Sequence, residues 1–377
     1  MAQKRTGCGC LVLVLIVLAA IIFGVLYYLR TRRTEEQLPP PSGGQLNVHV
    51  LDIGQGDSIL IRTPSNKAVL VDASNPGNGK KILAALARHN ISQIDLLVAT
   101  HAHADHIGAA DEVIKGIPVR QVLDSGVPND TKNYADFLEA IDTNMNAPDK
   151  FLIAAPGQRF DLGDGVFLTV LAPTQPLFRK EDLRGGGNEP NANSIITRLD
   201  YGEFSMLLTG DAEAQTEDRL IQAGARLEAD VLKVGHHGSR YATSEDFIRR
   251  GRFKDAIISN GEDNRYGHPS QDVLDRLRAD KINIYRTDLQ GEITITSNGS
   301  ERYQITTARE ASTGDIATGR KPERDDSSRT GFIQYGDFGP ARRPTQTDAN
   351  TNNRNRNANR NANMSSRRNA NNNNRGR

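Results

Sequence analysis

Cysteine occurs only at positions 8 and 10 of the 377 residues, so the rest of the chain has no thiol for a disulfide framework or a thiolate metal site. Charge is missing from residues 11–29, which excludes a solvated surface helix there. Acidic residues nearly vanish at the far end: beyond position 340 only Asp348 stands against nine arginines. The formal net charge of +1 therefore averages unlike ends and says little about partners. Histidine is scarce as well, with eight in all, yet three of them fall at positions 101, 103 and 106.

Lys4 and Arg5 precede the uncharged run, and Tyr27, Tyr28, Arg30, Arg32 and Arg33 close it. As a helix its nineteen residues would reach roughly 28 Å, close to the hydrocarbon thickness of a bilayer. The run is long for a signal-peptide core, and no clear small-residue cleavage site precedes the PPPSGG stretch. After a short N-terminal segment, 1–10, residues 11–30 are expected to form a retained transmembrane anchor, followed by a polar linker over 31–45. Positive charges stand at both ends of the run, and Glu35 and Glu36 offset those on the far side, so the positive-inside rule leaves orientation open.

From LNVHVLDI at 46–53 onward, short strand-like runs recur, among them DSILIR, AVLVDA, IDLLVAT, VRQVLD, FSMLLTG, ADVLKVG, DAIISN and GEITITS. Helical patterns at 79–90, 106–116, 212–224 and 270–280 fall between them, which predicts an α/β fold with helices on the outer faces of sheets. The folded body is expected over 46–308. The remainder, 309–377, ends in a low-complexity Asn/Arg-rich stretch that cannot bury enough apolar area to offset chain entropy, so it reads as a disordered tail. Its arginines suit nucleic acid or another anionic surface, and equally a solvated tail with no partner.

HAHADH at 101–106 puts His101, His103, Asp105 and His106 just beyond the apolar strand IDLLVA. Imidazole and carboxylate suit zinc, manganese or iron, and four such groups in six residues can serve two adjacent ions. Two further strands end the same way: FSMLLTGD reaches Asp211, and ADVLKVGHHGS reaches His236 and His237. A folded sheet brings strand ends to one rim, where Asp211 becomes a candidate bridge between two metals. DIGQGD is a glycine-rich turn between strands, not a dinucleotide fingerprint, because no helix follows its glycines. Asp57 within it is expected to bond a ligand histidine, and Asp72 to support the rim. Lys233 and Arg286 offer positive charge beside the site, although a structural role suits each better. His49 in the first strand and His89 at a helix end do not look catalytic.

These stretches, together with VLVDAS, ISNGEDNRYGHPS and IYRTDLQGEI, resemble the metallo-beta-lactamase superfamily. More narrowly, they are similar to the hydrolase domain of the competence-type ComEC/Rec2 family. The resemblance implies a four-layer αββα sandwich with one or two divalent ions, Zn or Mn, at the shared edge of its sheets. It implies His101 and His103 as ligands of one ion, Asp105 and His106 as ligands of the other, and Asp211 between them. The GHHG pair supplies the remaining histidine; His236 comes first after the strand and is favoured, but sequence does not separate it from His237. Many superfamily members have another histidine before the bridging aspartate, whereas none occurs here from 107 to 235. In the corresponding NEPNANS stretch, Asn193 is the candidate to orient a water, touch substrate or cap a turn.

The expected function is a membrane-anchored, metal-dependent hydrolase, a phosphodiesterase or nuclease linked to DNA uptake. Asp105 would take or orient the nucleophile's proton, while His268 contacts phosphate or protonates the leaving group. The one apolar run at 11–29 implies a single-pass protein of the bacterial cell membrane, and the resemblance to competence-type proteins implies a domain outside the cytoplasm. Alternatives are hydrolysis of a small phosphoester, lactam or lactone, and a non-catalytic nucleic-acid-binding protein.

Overall fold

The computed structural model describes residues 43–146, 150–183, 188–262 and 264–320. The expected anchor at 11–30, the segment before it, most of the linker and the tail beyond 320 lie outside these. Among the described residues no helix is long and apolar enough to cross a membrane.

Two sheets form the centre of the domain. The first takes up β1 (Leu46–Val50), β2 (Ile59–Arg62), β3 (Ala68–Val71), β4 (Ile94–Ala99), β5 (Val119–Asp124) and β6 (Phe151–Ile153). The second runs from β7 (Arg159–Asp161) and β8 (Val166–Ala172) through β9 (Ile196–Tyr201), β10 (Phe204–Leu208), β11 (Val231–Lys233) and β12 (Asp255–Ile258) to β13 (Asn283–Arg286). The chain then returns to the first sheet as β14 (Ile293–Ser297) and β15 (Tyr303–Thr307), giving the orders β15-β14-β1-β2-β3-β4-β5-β6 and β13-β12-β11-β10-β9-β8-β7. Within them β3 to β6 are parallel, as are β10 to β13.

Strand alternation sorts the apolar residues into three cores. Val48 and Val50, Ile59 and Ile61, Val69 and Val71 face inward to meet Phe204, Met206, Leu208 and Val231 of the other sheet. Leu60 and Leu70 point the opposite way, against α1 (Gly79–Arg88), α3 (Ala110–Gly116) and α4 (Lys132–Asn144); the single turn α2 (Ala104–Ile107) adds Ile107. Leu207 and Leu232 likewise pack under α6 (Ala214–Gln222), α7 (Glu245–Gly251) and α8 (Gln271–Ala279), with the short α5 (Glu189–Ala192) preceding β9. Each fully buried Leu, Ile or Phe contributes roughly 1.5–3 kcal/mol relative to exposure, so the layering is held by three apolar faces and not one. The result is the α/β/β/α stacking expected from the resemblance.

The boundary expected at 308 is too early. After α9 (Thr287–Gln290) and the last two strands, the chain makes one more turn, α10 (Thr313–Ile316), capped by the Ser312 hydroxyl, which accepts from Asp315 N. Buried Arg286 pairs with Asp288 at 2.7 Å and donates to the carbonyls of Asp315, Ile316 and Thr318 at 3.2, 3.2 and 2.6 Å. Arg320 adds a second cation to Asp288 at 2.8 Å. This extension has no apolar period because hydrogen bonds, not burial, hold it. Arg286 is thereby committed to the fold and offers no charge to a substrate.

Candidate metal centre

Parallel strands place their following loops on one rim. Asp72 follows β3, His101 follows β4, Asp211 follows β10, His236 and His237 follow β11, and Ser259 follows β12. Thr100 O accepts from Ile195 N at 2.9 Å and joins the two sheets beside the cluster. Asp211 is set by the Ser194 hydroxyl, which accepts its backbone N–H at 3.3 Å.

The two oxygens of Asp211 face different partners. Oδ2 lies 3.8 Å from His101 Nε2 and 3.7 Å from His236 Nε2, with His103 Nδ1 3.0 Å from the same His101 atom. Oδ1 lies 3.1 Å from His106 Nε2 and 3.6 Å from His237 Nε2, which is itself 3.4 Å from Asp105 Oδ2. Donor atoms of Asp105, His106, Asp211 and His237 all fall within 4.8 Å of one another. The preference for His236 over His237 therefore needs correction: the pair divides between the two groups. Both residues have positive φ, 47° and 54°, so consecutive rings leave the chain in directions no strand alternation would give.

The far nitrogens are fixed from behind. His106 Nδ1 meets Asp72 Oδ2 at 2.7 Å, and Asp72 in turn accepts from Thr100 N and Thr100 Oγ1, both at 2.8 Å. His237 Nδ1 donates to Ser259 O at 2.8 Å, which fixes the ring with Nε2 aimed at the cluster. Asp57 stands 3.5 Å from the same Nδ1 and takes the buried Lys233 ammonium at 2.8 Å. Lys233 is thus a counter-charge inside the domain, not a substrate contact. Asp105 is positioned through its backbone: its carbonyl accepts from Asp57 N at 3.0 Å, and a side chain at Gly56 would put Cβ 2.4 Å from that oxygen.

The residues fit divalent cations on two grounds. His106 Nε2, His237 Nε2 and Asp211 Oδ1 are buried polar atoms without a hydrogen-bond partner, and they converge on one point. The field is also right for added positive charge. Burial alone would depress His106 and His237, yet Asp211 and Asp72 lift the first well above the ordinary imidazole range, and Asp211 and Asp57 lift the second to about 10. Burial, with the His106 charge added, instead drives His101 well below that range, the neutral form in which imidazole ligates.

Asn193 does not reach this site. Its amide oxygen accepts from Phe178 N at 2.9 Å and its nitrogen donates to Phe178 O and Glu189 O at 2.9 and 3.0 Å, so of its three candidate roles only the bracing of a turn stands. The amide beside the cluster is Asn191, buried, with Nδ2 3.5 Å from His236 Nδ1 and Oδ1 unpartnered. Both lie in NEPNANS, and the helical turn α5 decides which of them points inward. Glu213, also missed, stands 3.3 Å from His236 Nδ1. His268 lies beside the cluster, its ring centroid 5.4 Å from that of His236 and 5.9 Å from that of exposed Tyr266, on which it stacks. Burial and then the charges of His236 and His237 push His268 down to about 3, so its ring is neutral at pH 7.

A model of the metallo-beta-lactamase superfamily matches residues 51–171. Over 264 residues the chain is 34% identical to ComE operon protein 3 of Bacillus subtilis (strain 168), an alignment covering 65% of this chain and 32% of that protein. It is 29% identical to Recombination protein 2 of Haemophilus influenzae over 292 residues, 76% of this chain and 33% of the relative. With competence protein ComA of Neisseria gonorrhoeae it shares 31% identity over 248 residues, 65% of this chain and 31% of the relative. The matched region spans about a third of the length of these curated relatives.

Proposed function

Because the chain is a ComEC/Rec2-like member of the metallo-beta-lactamase superfamily, we propose that it is a metal-dependent phosphodiesterase acting on DNA, anchored by residues 11–30 with its hydrolase domain outside the cytoplasmic membrane. The observation that carries this reading is the division of Asp211 between two donor groups, one oxygen to each.

His101, His103 and His236 with Oδ2 of Asp211 would hold one ion, and Asp105, His106 and His237 with Oδ1 the other, zinc or manganese by donor type. Bound there, divalent ions acidify water and offset charge on a phosphodiester's oxygens. The chain's own groups orient and move protons. Asp105, with a quarter of its side chain exposed, would accept or orient the attacking water's proton. Neutral His268 beside the cluster offers a hydrogen bond to a phosphate oxygen or to the departing alcohol. Asp72 and Ser259 O keep the His106 and His237 rings from turning.

The test is hydrolysis of labelled single- and double-stranded DNA beside bis(p-nitrophenyl) phosphate, using protein stripped of metal and resupplied with Mn²⁺ or Zn²⁺. Cleavage of DNA restored by metal and lost in Asp211→Ala is the expected result. Turnover of the small diester alone would move the substrate to small phosphoesters, and no turnover under either metal would overturn the enzymatic reading.

A further inference from the structure

His49, His89 and Glu292, three residues without a role in the Asp211 cluster, meet on the outer face of the first sheet. His49 comes from β1, His89 from the C-terminal cap of α1, and Glu292 from the turn leading into β14. His89 Nε2 is 2.8 Å from Glu292 Oε1, and His49 Nδ1 is 3.4 Å from the same oxygen. The two imidazoles stack with centroids 3.7 Å apart at 26°, and each presents a nitrogen beside the same carboxylate oxygen. Donor atoms of all three fall within 4.8 Å of one another.

We propose that His49, His89 and Glu292 form a further divalent-metal site of the two-histidine, one-carboxylate class that zinc favours, independent of the Asp211 cluster. With zinc bonds of about 2.0–2.2 Å, ligand atoms on a tetrahedral ion stand about 3.3 Å apart, and the two observed separations from Oε1 lie on either side of that value. The site is open in the manner of zinc centres that keep an exchangeable ligand. Glu292 and Thr294 line a cavity of about 580 Å³ with Asp52, Arg88 and Arg309, which gives water or a small anion access to a fourth position. The charges are compatible: Arg88 engages the other oxygen, Oε2, at 3.2 Å and is itself 60% exposed, free to turn to solvent. His49 Nδ1 also stands 3.0 Å from the Thr294 hydroxyl, a contact that an ion at Nδ1 replaces. What argues for an ion over a hydrogen-bonded clamp is that two imidazole nitrogens stand beside one carboxylate oxygen, where a clamp needs only one ring; an ion there would draw the stacked rings apart.

The experiment counts zinc per chain by inductively coupled plasma mass spectrometry. It uses the full chain, without a histidine tag, loaded with Zn²⁺ and desalted. Asp211→Ala takes the shared carboxylate from the central cluster, and Glu292→Gln is added to it because glutamine keeps the shape and hydrogen-bonding capacity of the site. Far-ultraviolet circular dichroism confirms that both variants are folded, and His89→Ala serves as a second deletion. The expected result is one zinc fewer in Asp211→Ala/Glu292→Gln than in Asp211→Ala, with the visible absorption of tetrahedral Co²⁺ in the single variant reduced by one site's share in the double. An identical zinc count in the two would overturn the proposal, as would an Asp211→Ala protein that retains no zinc.

Discussion

At the scale of single residues, the partner behind each ligand decides more than the ligand's own identity. Asp72 is buried, has a φ of 64° and spends both oxygens on Thr100 and His106, so its role is to hold one imidazole in one tautomer. Replacing it by asparagine keeps the volume but lets the amide present a donor to His106 Nδ1. We expect Asp72→Asn to weaken metal binding at the His106 group about 10–100-fold, measured by titration calorimetry, while the His101 group keeps its affinity; an equal loss in both groups would contradict the separation. Asn193→Ala should do the reverse. It removes three hydrogen bonds to the Phe178 and Glu189 backbone, costing about 1–3 kcal/mol in urea unfolding, with metal content unchanged. Sequence pointed to His101, His103, Asp105, His106 and Asp211 because they follow the apolar strands β4 and β10, and the fold gathers their donor atoms around Asp211. Sequence failed on Asn193 against Asn191, and on His236 against His237, because those choices depend on a helical turn and on positive φ values that residue type does not reveal.

At the scale of elements, α6 and α7 are joined by one buried carboxylate. Glu217 on α6 accepts from Thr243 N at 2.6 Å and Ser244 N at 2.8 Å, the backbone donors at the start of α7. Burial nevertheless raises its pKa from 4.5 to about 7, since those hydrogen bonds only partly offset desolvation. The folded chain then holds a proton that the unfolded chain has released between pH 4.5 and 7, so this group's contribution to stability is full below 4.5 and falls as pH rises, by roughly 3 kcal/mol in total. Glu217→Gln lacks that titration. The stability of the variant minus that of the parent, from urea unfolding at several pH values, should climb across the window; a difference flat with pH would refute the assignment. Elements were legible where they carried a full apolar face, as in β4, β10 and α8. The short β6 and β7 were not, being three half-exposed residues each at sheet edges. The amphipathic face of α4, with Tyr134, Phe137, Ala140 and Ile141 buried, was present in the sequence and went unread.

At the scale of the whole molecule, the layered sandwich follows from strand alternation, but the extent of the folded unit does not, because residues 309–320 are held by polar contacts. Their loss has consequences in two places. Arg286 would keep Asp288 but lose three carbonyl acceptors, and Asp288 would lose Arg320. The loop beside His268 would also lose its brace, since Arg320 N donates to Pro269 O at 2.9 Å and Gly319 N to Gln271 Oε1 at 2.8 Å. Hydrogen bonds to a charged group contribute about 1.5–3 kcal/mol each, but truncation also lets water reach the freed guanidinium and recovers much of that. A net loss of about 2–4 kcal/mol is expected, which for a domain of this size lowers the melting midpoint by roughly 4–16 °C. The comparison is between fragments 43–308 and 43–320 by scanning calorimetry in the presence of chelator, so that metal binding does not mask the difference. If the two melt together, Arg286 and Asp288 are sufficient by themselves and the extension is an ornament on the fold; if the shorter fragment melts lower and also binds its substrate more weakly, the segment that sequence assigned to a disordered tail is holding the His268 side of the centre in place.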